Sequence, residues 1–86
     1  MNTAFFLMAQ YSAKAVIPVE DVCRDYFPHL TPEMFVRKVS AGKLNIPMIR
    51  MDSSQKCAKG IHINDLAQYL DDRQAAAQKE ARQLAG

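Results

Sequence analysis

Apolar residues recur along this chain in short bursts whose spacing changes from one stretch to the next. Val19, Val22, Cys23 and Tyr26 fall at i, i+3, i+4 and i+7, the single apolar stripe of an amphipathic helix. Pro18 precedes the stripe and suits a first helical turn, where its missing N–H has no partner to lose. Glu20 and Asp21 follow, where carboxylates favour the positive end of the helix dipole. Pro28 stops the helix, because it disfavours helical geometry at the residue before it. A second helix, over residues 31–41, opens at once. Thr31 is a favoured N-cap, Pro32 a favoured first residue and Glu33 an early acid. Phe35 and Val39 form its apolar face, and Gly42 is the expected left-handed residue beyond its end. Two helices joined by about four residues have helix-turn-helix spacing.

Upstream, Thr3 is a candidate N-cap for a short helix over residues 4–11. The run Phe5-Phe6-Leu7-Met8 fits a buried strand as well, and in either form it reads as a piece of folded core. Ala15-Val16-Ile17 is a short β-branched run available for pairing with another strand. Downstream, residues 44–51 read as a strand with Pro47 near its start. Residues 52–60 form a polar, lysine-bearing loop, and Ile61-His62-Ile63 alternates as a half-buried strand does. Two strands joined by a basic loop make a wing. Asn64 is the expected cap of a final helix, packed through Leu66, Tyr69, Leu70 and Arg73. From Gln74 onward Ala, Gln, Lys, Glu and Arg keep helix propensity without a wide apolar stripe. The expected fold is α+β and mainly helical: a small winged helix-turn-helix with a two-stranded wing and a long C-terminal helix. Residues 1–73 would form the DNA-binding domain and residues 74–86 a helical tail.

Composition narrows the picture. A chain of 86 residues with 49% apolar content is one foldable domain, too small for a water-excluding substrate cleft. No run approaches the ~20 apolar residues of a membrane span, and no signal-peptide pattern is present. A cytoplasmic protein, without a membrane partner, is expected. Cys23 reads as a small buried hydrophobe, and Cys57, between lysines, as an exposed free thiol. No disulfide is expected, which fits a reducing compartment.

The net charge of +2 is unevenly spread. Residues 1–36 carry Lys14 and Arg24 against Glu20, Asp21, Asp25 and Glu33, a balance of −2. Residues 37–59 carry Arg37, Lys38, Lys43, Arg50, Lys56 and Lys59 against Asp52, a balance of +5. Such a block on one face is the footprint of a polyanion site. On a helical wheel Glu33, Arg37 and Ser40 lie opposite Phe35, Val36 flanks them, and the four point outward together. Arginine can pair with guanine through two hydrogen bonds, glutamate can accept from cytosine, and valine can touch a thymine methyl. Thr31 lies near the apolar face and Lys38 beside it, and both, with Lys43 just beyond the helix, are further candidates for DNA contact. Lys38, Lys43, Arg50, Lys56 and Lys59 are candidates for phosphate contacts, with Ser53, Ser54 and Gln55 adding neutral hydrogen bonds. His29 and His62 lie outside any metal-ligand spacing. The glycines stand apart at 42, 60 and 86, and Ser53 and Ser54 lack a nucleophile's context. No catalytic site, metal or cofactor is expected, and the chain reads as a non-enzyme.

The stretches Ile17-Pro18-Val19-Glu20, Val36-Arg37-Lys38-Val39, Gly42-Lys43-Leu44, Ser53-Ser54-Gln55-Lys56 and His62-Ile63-Asn64-Asp65-Leu66-Ala67-Gln68-Tyr69-Leu70-Asp71 together resemble the pyocin activator PrtN family of phage and prophage regulators. The opening Met1-Asn2-Thr3 and Leu7-Met8-Ala9-Gln10-Tyr11 are similar to that family too. More widely, the helix followed by Gly-Lys-Leu, the strand with Pro47 and the strand ending in Asp-Leu look like MerR-type and excisionase-type winged helices. The resemblance implies a sequence-specific DNA-binding regulator of the activator type. It also implies an alternative role as a recombination directionality factor. Glu33, Met34 and Val36 depart from the Arg- and Ser-rich reading helices of excisionases, which bears on the target and not on the class. A protein-interaction adaptor on the same scaffold is the third reading. Double-stranded DNA is the expected partner, together with RNA polymerase or an integrase. A short reader touches few base pairs, so a homo-oligomer on DNA is expected, joined through residues 74–84 or through the apolar segment 5–11.

Overall fold

The computed structural model describes residues 2–86. It contains α1 (Thr3–Gln10), β1 (Val16–Pro18), α2 (Val19–Tyr26), α3 (Pro32–Ser40), β2 (Ile49–Arg50), β3 (Lys59–His62) and α4 (Ile63–Ala85). The α+β, mainly helical class expected from the sequence is the class observed. The three strands form an antiparallel sheet in the order β1-β3-β2. The hairpin β2–β3 therefore gains a third strand from the β-branched run ahead of α2. Ile17 pairs with Ile61, and Gly60 lies between Pro18 on one side and Ile49 on the other.

Local chemistry explains most element ends. The Thr31 hydroxyl accepts from the Met34 N–H at 3.2 Å, Pro32 takes the first turn of α3, and Gly42 adopts φ +75° beyond its end. Other ends correct the sequence reading. The α1 cap is Asn2, whose Oδ1 accepts from the Ala4 N–H at 2.9 Å. Thr3 instead lies inside the helix and donates to Asp71 of α4. The α4 cap is His62, not Asn64: its Nδ1 accepts from the Asn64 N–H at 3.0 Å. Val16 pairs with His62, which holds that residue extended and places the helix start directly after it.

The strand expected over 44–51 shrinks to Ile49–Arg50. Pro47 cannot donate to a ladder, and the partner strand β3 is only four residues long. Ile46 is nonetheless buried, and Leu44 and Met48 pack against the core. That segment is held by its side chains rather than by strand pairing.

Leu7, Ile17, Val22, Phe35, Ile61 and Leu66 are the largest fully buried side chains. The Phe27 ring lies 5.1 Å from Phe35 and 5.6 Å from Tyr69, centroid to centroid, joining α3 to α4 through the inter-helix turn. Only part of segment 5–11 enters the core, contrary to the sequence reading. Leu7 and Tyr11 are buried, whereas Phe5, Phe6 and Met8 face solvent. Cys23 is buried as expected, but Cys57 is half-buried rather than exposed.

Ser12 and Ala13, just past α1, both take left-handed backbone angles, φ 56° and 63°. Each costs roughly 1–2 kcal/mol in a non-glycine residue. The reversal lets Tyr11 reach α2, where its hydroxyl donates to Asp25 Oδ2 at 2.7 Å. Arg24 also holds Asp25, at 3.0 Å. Arg24 first, and then Tyr11, keep the Asp25 carboxyl below its usual range by hydrogen bonding. Burial first, then Asp25, pushes the Tyr11 phenol well above 10.0, and Tyr26 shifts the same way for the same reasons. Burial, then Glu20, raises the Cys23 thiol.

In the folded state these three acids hold protons that an unfolded chain releases near its ordinary values of 9.0 and 10.0. Their contribution to stability is therefore complete below pH 9 and is lost as pH rises beyond it. The urea midpoint should be level from pH 7 to 9 and fall steeply towards pH 11. Tyr11→Phe should flatten that fall, and an unchanged slope in that variant would exclude Tyr11 as its source.

Candidate nucleic-acid interface

Helix α3 turns Phe35 fully inward and leaves Glu33, Met34, Arg37, Ser40 and Ala41 exposed. Val36, Lys38 and Val39 are half-buried. Val36 thus belongs partly to the core, and only part of it faces outward with Glu33 and Arg37.

The exposed face of α3 does not stand alone. Glu33, Val36 and Arg37 line a groove of about 560 Å³ together with Lys56 and Lys59 of the loop between β2 and β3. A second hollow of about 190 Å³ is bordered by Arg37, Lys38 and Lys43. Arg37 stands at the junction of the two. At the end of α3, Arg50 Nη2 lies 3.5 Å from Ser40 Oγ. The structure therefore brings Glu33, Val36, Arg37, Lys56 and Lys59 to one concavity, Lys38 and Lys43 to its neighbour, and Arg50 to Ser40.

The β2–β3 loop is braced by its own polar atoms. Asp52 Oδ1 accepts from the Ser54 N–H at 2.6 Å, and the Ser54 hydroxyl accepts from the Lys56 N–H at 3.1 Å. Such side-chain-to-backbone bonds stabilise turns without strand pairing. Lys59 Nζ donates to the carbonyls of Gln55 at 2.9 Å and Cys57 at 3.3 Å. Lys59 therefore holds the loop's shape while its charge stays at the groove. Ser53, Gln55 and Lys56 are exposed on the loop. Thr31 has a local role as the α3 cap.

The charges of the chain are unevenly paired. Arg24 makes the only ion pairs among the described residues, to Asp21 and Asp25. Arg37, Lys38, Lys43, Arg50, Lys56 and Lys59 make none. Six cations on and around one helix and one loop attract polyanions, and the attraction weakens with salt. Besides Asp52 of the loop, two carboxylates lining the groove temper it: Glu33, expected from the sequence, and Glu20 at the start of α2. The sequence reading gave Glu20 only a helix-dipole role. Its second role follows from β1–β3 pairing, which carries the start of α2 up to the loop. Cys57 also lines the groove, a placement set by the loop's fold.

No helix among the described residues is long and apolar enough to cross a membrane. No curated protein and no solved structure matches the chain significantly. A family model described as pyocin activator protein PrtN matches residues 3–77. The match runs from the start of α1 through α3, the hairpin and more than half of α4, so it includes every side chain of the groove. The chain belongs to the pyocin activator protein PrtN family.

Proposed function

We propose that this chain is a sequence-specific, DNA-binding transcriptional activator of a phage or prophage. In this reading α3 enters the major groove as the reader of a winged helix-turn-helix. The β2–β3 loop lies on the backbone or the adjacent minor groove. The observation that carries it is the single concavity in which Glu33 and Arg37 of α3 meet Lys56 and Lys59 of the loop. A helix carrying directional hydrogen-bonding groups beside a loop carrying ammonium groups divides the work. The helix distinguishes bases, and the loop neutralises phosphates.

Arg37→Ala should cost about 1–3 kcal/mol of affinity for the preferred duplex and relax the preference among sequences. Lys56→Ala should weaken all duplexes alike and lower the salt slope by about one. Titrations at several salt concentrations, after genome-wide mapping of bound sites, measure both. If Arg37→Ala leaves affinity and preference untouched, α3 is not the reader. If no duplex is bound in a salt-dependent way, the protein acts as an adaptor. Sites upstream of a tail or lysis operon mark an activator that works with RNA polymerase. Repeats beside an integrase attachment site mark an excision factor.

A further inference from the structure

Helix α1 is apolar on every side. Leu7 and Tyr11 face the core, yet Phe5 and Phe6, 66% and 54% exposed, and Met8, 46% exposed, stand on its outer surface. A helix without a polar face is normally covered on all sides. Helix α4, meanwhile, outruns the body of the protein. Thr3 at the start of α1 bonds Asp71, and from Asp71 to Ala85 every residue of α4 is exposed. That segment projects about 21 Å at 1.5 Å per residue, longer than the roughly 12 Å of α1. A helix of this length without tertiary contacts is marginal in water. Leu84 is 83% exposed. It lies two heptads beyond Leu70, within roughly 40° of the same direction on the helix.

We infer that the outer face of α1 is covered by the projecting end of α4 from a second copy of this chain, and the reverse, in a closed two-fold dimer. Within one chain the two cannot meet. The α4 helix is continuous from Ile63 to Ala85 and carries Leu84 away past the start of α1. Each copy thus offers one uncovered aromatic face and one arm long enough to cover such a face, which is the self-complementarity a two-fold interface requires. The area is sufficient. With roughly 200 Å² per large side chain, the exposed parts of Phe5, Phe6, Met8 and Leu84 amount to roughly 450 Å² per copy. Doubled, and with the flanking arm residues added, this reaches the ~1,000 Å² of a specific interface. Helix α1 carries no charged residue, so its side of the contact buries no charge.

Sedimentation equilibrium of the full chain without DNA tests this. The expected mass is twice the 9.7 kDa monomer. The double variant Phe5→Ser/Phe6→Ser and the single variant Leu84→Glu should each weaken association at least tenfold. Both alter exposed positions, so the body of the protein should stay folded, and helical circular dichroism should fall by no more than the projecting end of α4 contributes once it loses its support. In a Cys57→Ser background, Phe6→Cys chains mixed with Leu84→Cys chains should form a heterodisulfide in preference to either homodisulfide. A wild-type monomer at high concentration would overturn the inference. So would a dimer indifferent to both sets of variants, or one lost in the aromatic variant yet kept in Leu84→Glu. A dimer that binds no DNA would leave this inference standing and remove the functional reading above.

Discussion

Phe35→Ala is expected to lower unfolding free energy by about 3–5 kcal/mol, the cost of emptying a large aromatic site in a core that cannot close around the space. Phe35 is fully buried, and its ring contacts Phe27, which contacts Tyr69 of α4 in turn. Removing it takes away the one fully buried anchor of α3 and leaves the helix held by the half-buried Val36 and Val39. At roughly 0.05–0.15 kcal/mol per residue, a chain of 86 residues has total stability on the order of 4–13 kcal/mol, so this loss is a large part of the whole. Chemical unfolding followed by circular dichroism measures it. Glu33→Ala, two residues away on the exposed side, should shift stability by no more than about 0.5 kcal/mol. A Phe35→Ala variant within 1 kcal/mol of the parent would mean that α3 does not pack through this side chain.

Gly60→Val is expected to destabilise by about 3 kcal/mol, the upper part of the range for inserting atoms into a packed site. A Cβ on Gly60 would stand 2.6 Å from Val16 Cγ1 and 2.8 Å from the Ile17 carbonyl oxygen. The second contact is backbone, so rotating a side chain cannot relieve it. Gly60 is the middle of the sheet, paired with Pro18 and with Ile49. Pushing β1 away there shifts the start of α2 against the β2–β3 loop, and with it the groove that Glu20 and Lys59 share. If the proposed function holds, binding to DNA should therefore fall in this variant although residue 60 is buried and lies outside the groove lining. Unfolding curves and duplex titrations on the same preparation separate the two effects. If Gly60→Val were as stable as the parent, the close β1–β3 approach would be wrong.

The parts of the fold legible in the sequence are those set by short-range chemistry. Helix α3 is bracketed by Thr31, Pro32 and Gly42, and each acts through its own backbone geometry. The stripe of α2 likewise predicts its buried Val19, Val22 and Cys23. Helix α1 was less legible, because an uncharged helix with apolar residues on all sides carries no phase to say which of them face inward. The apolar run after Gly42 reported burial correctly and strand pairing incorrectly. Ile46 sits in the core without a ladder. His62 became the α4 cap in place of the stronger capping residue Asn64 because a partner strand, distant in sequence, keeps it extended. At the groove, the basic residues and the outward face of α3 were visible as a charge block and a helical period. The inclusion of Glu20 and Cys57 was not, since it follows from how the sheet brings three segments together.

The outward residues of α3 have a separate history available to them. Glu33, Met34, Arg37 and Ser40 are exposed, while helix start, helix stop and core anchor are assigned to Thr31, Pro32, Gly42 and Phe35. Exchanges at exposed positions of this kind typically change stability by no more than about 0.5 kcal/mol. A lineage can therefore rewrite the exposed surface of this helix one residue at a time, each intermediate remaining folded. If that surface is the reader proposed above, such a scaffold can diverge quickly in what it recognises, among mobile genetic elements in competition with one another, while its architecture is inherited unchanged.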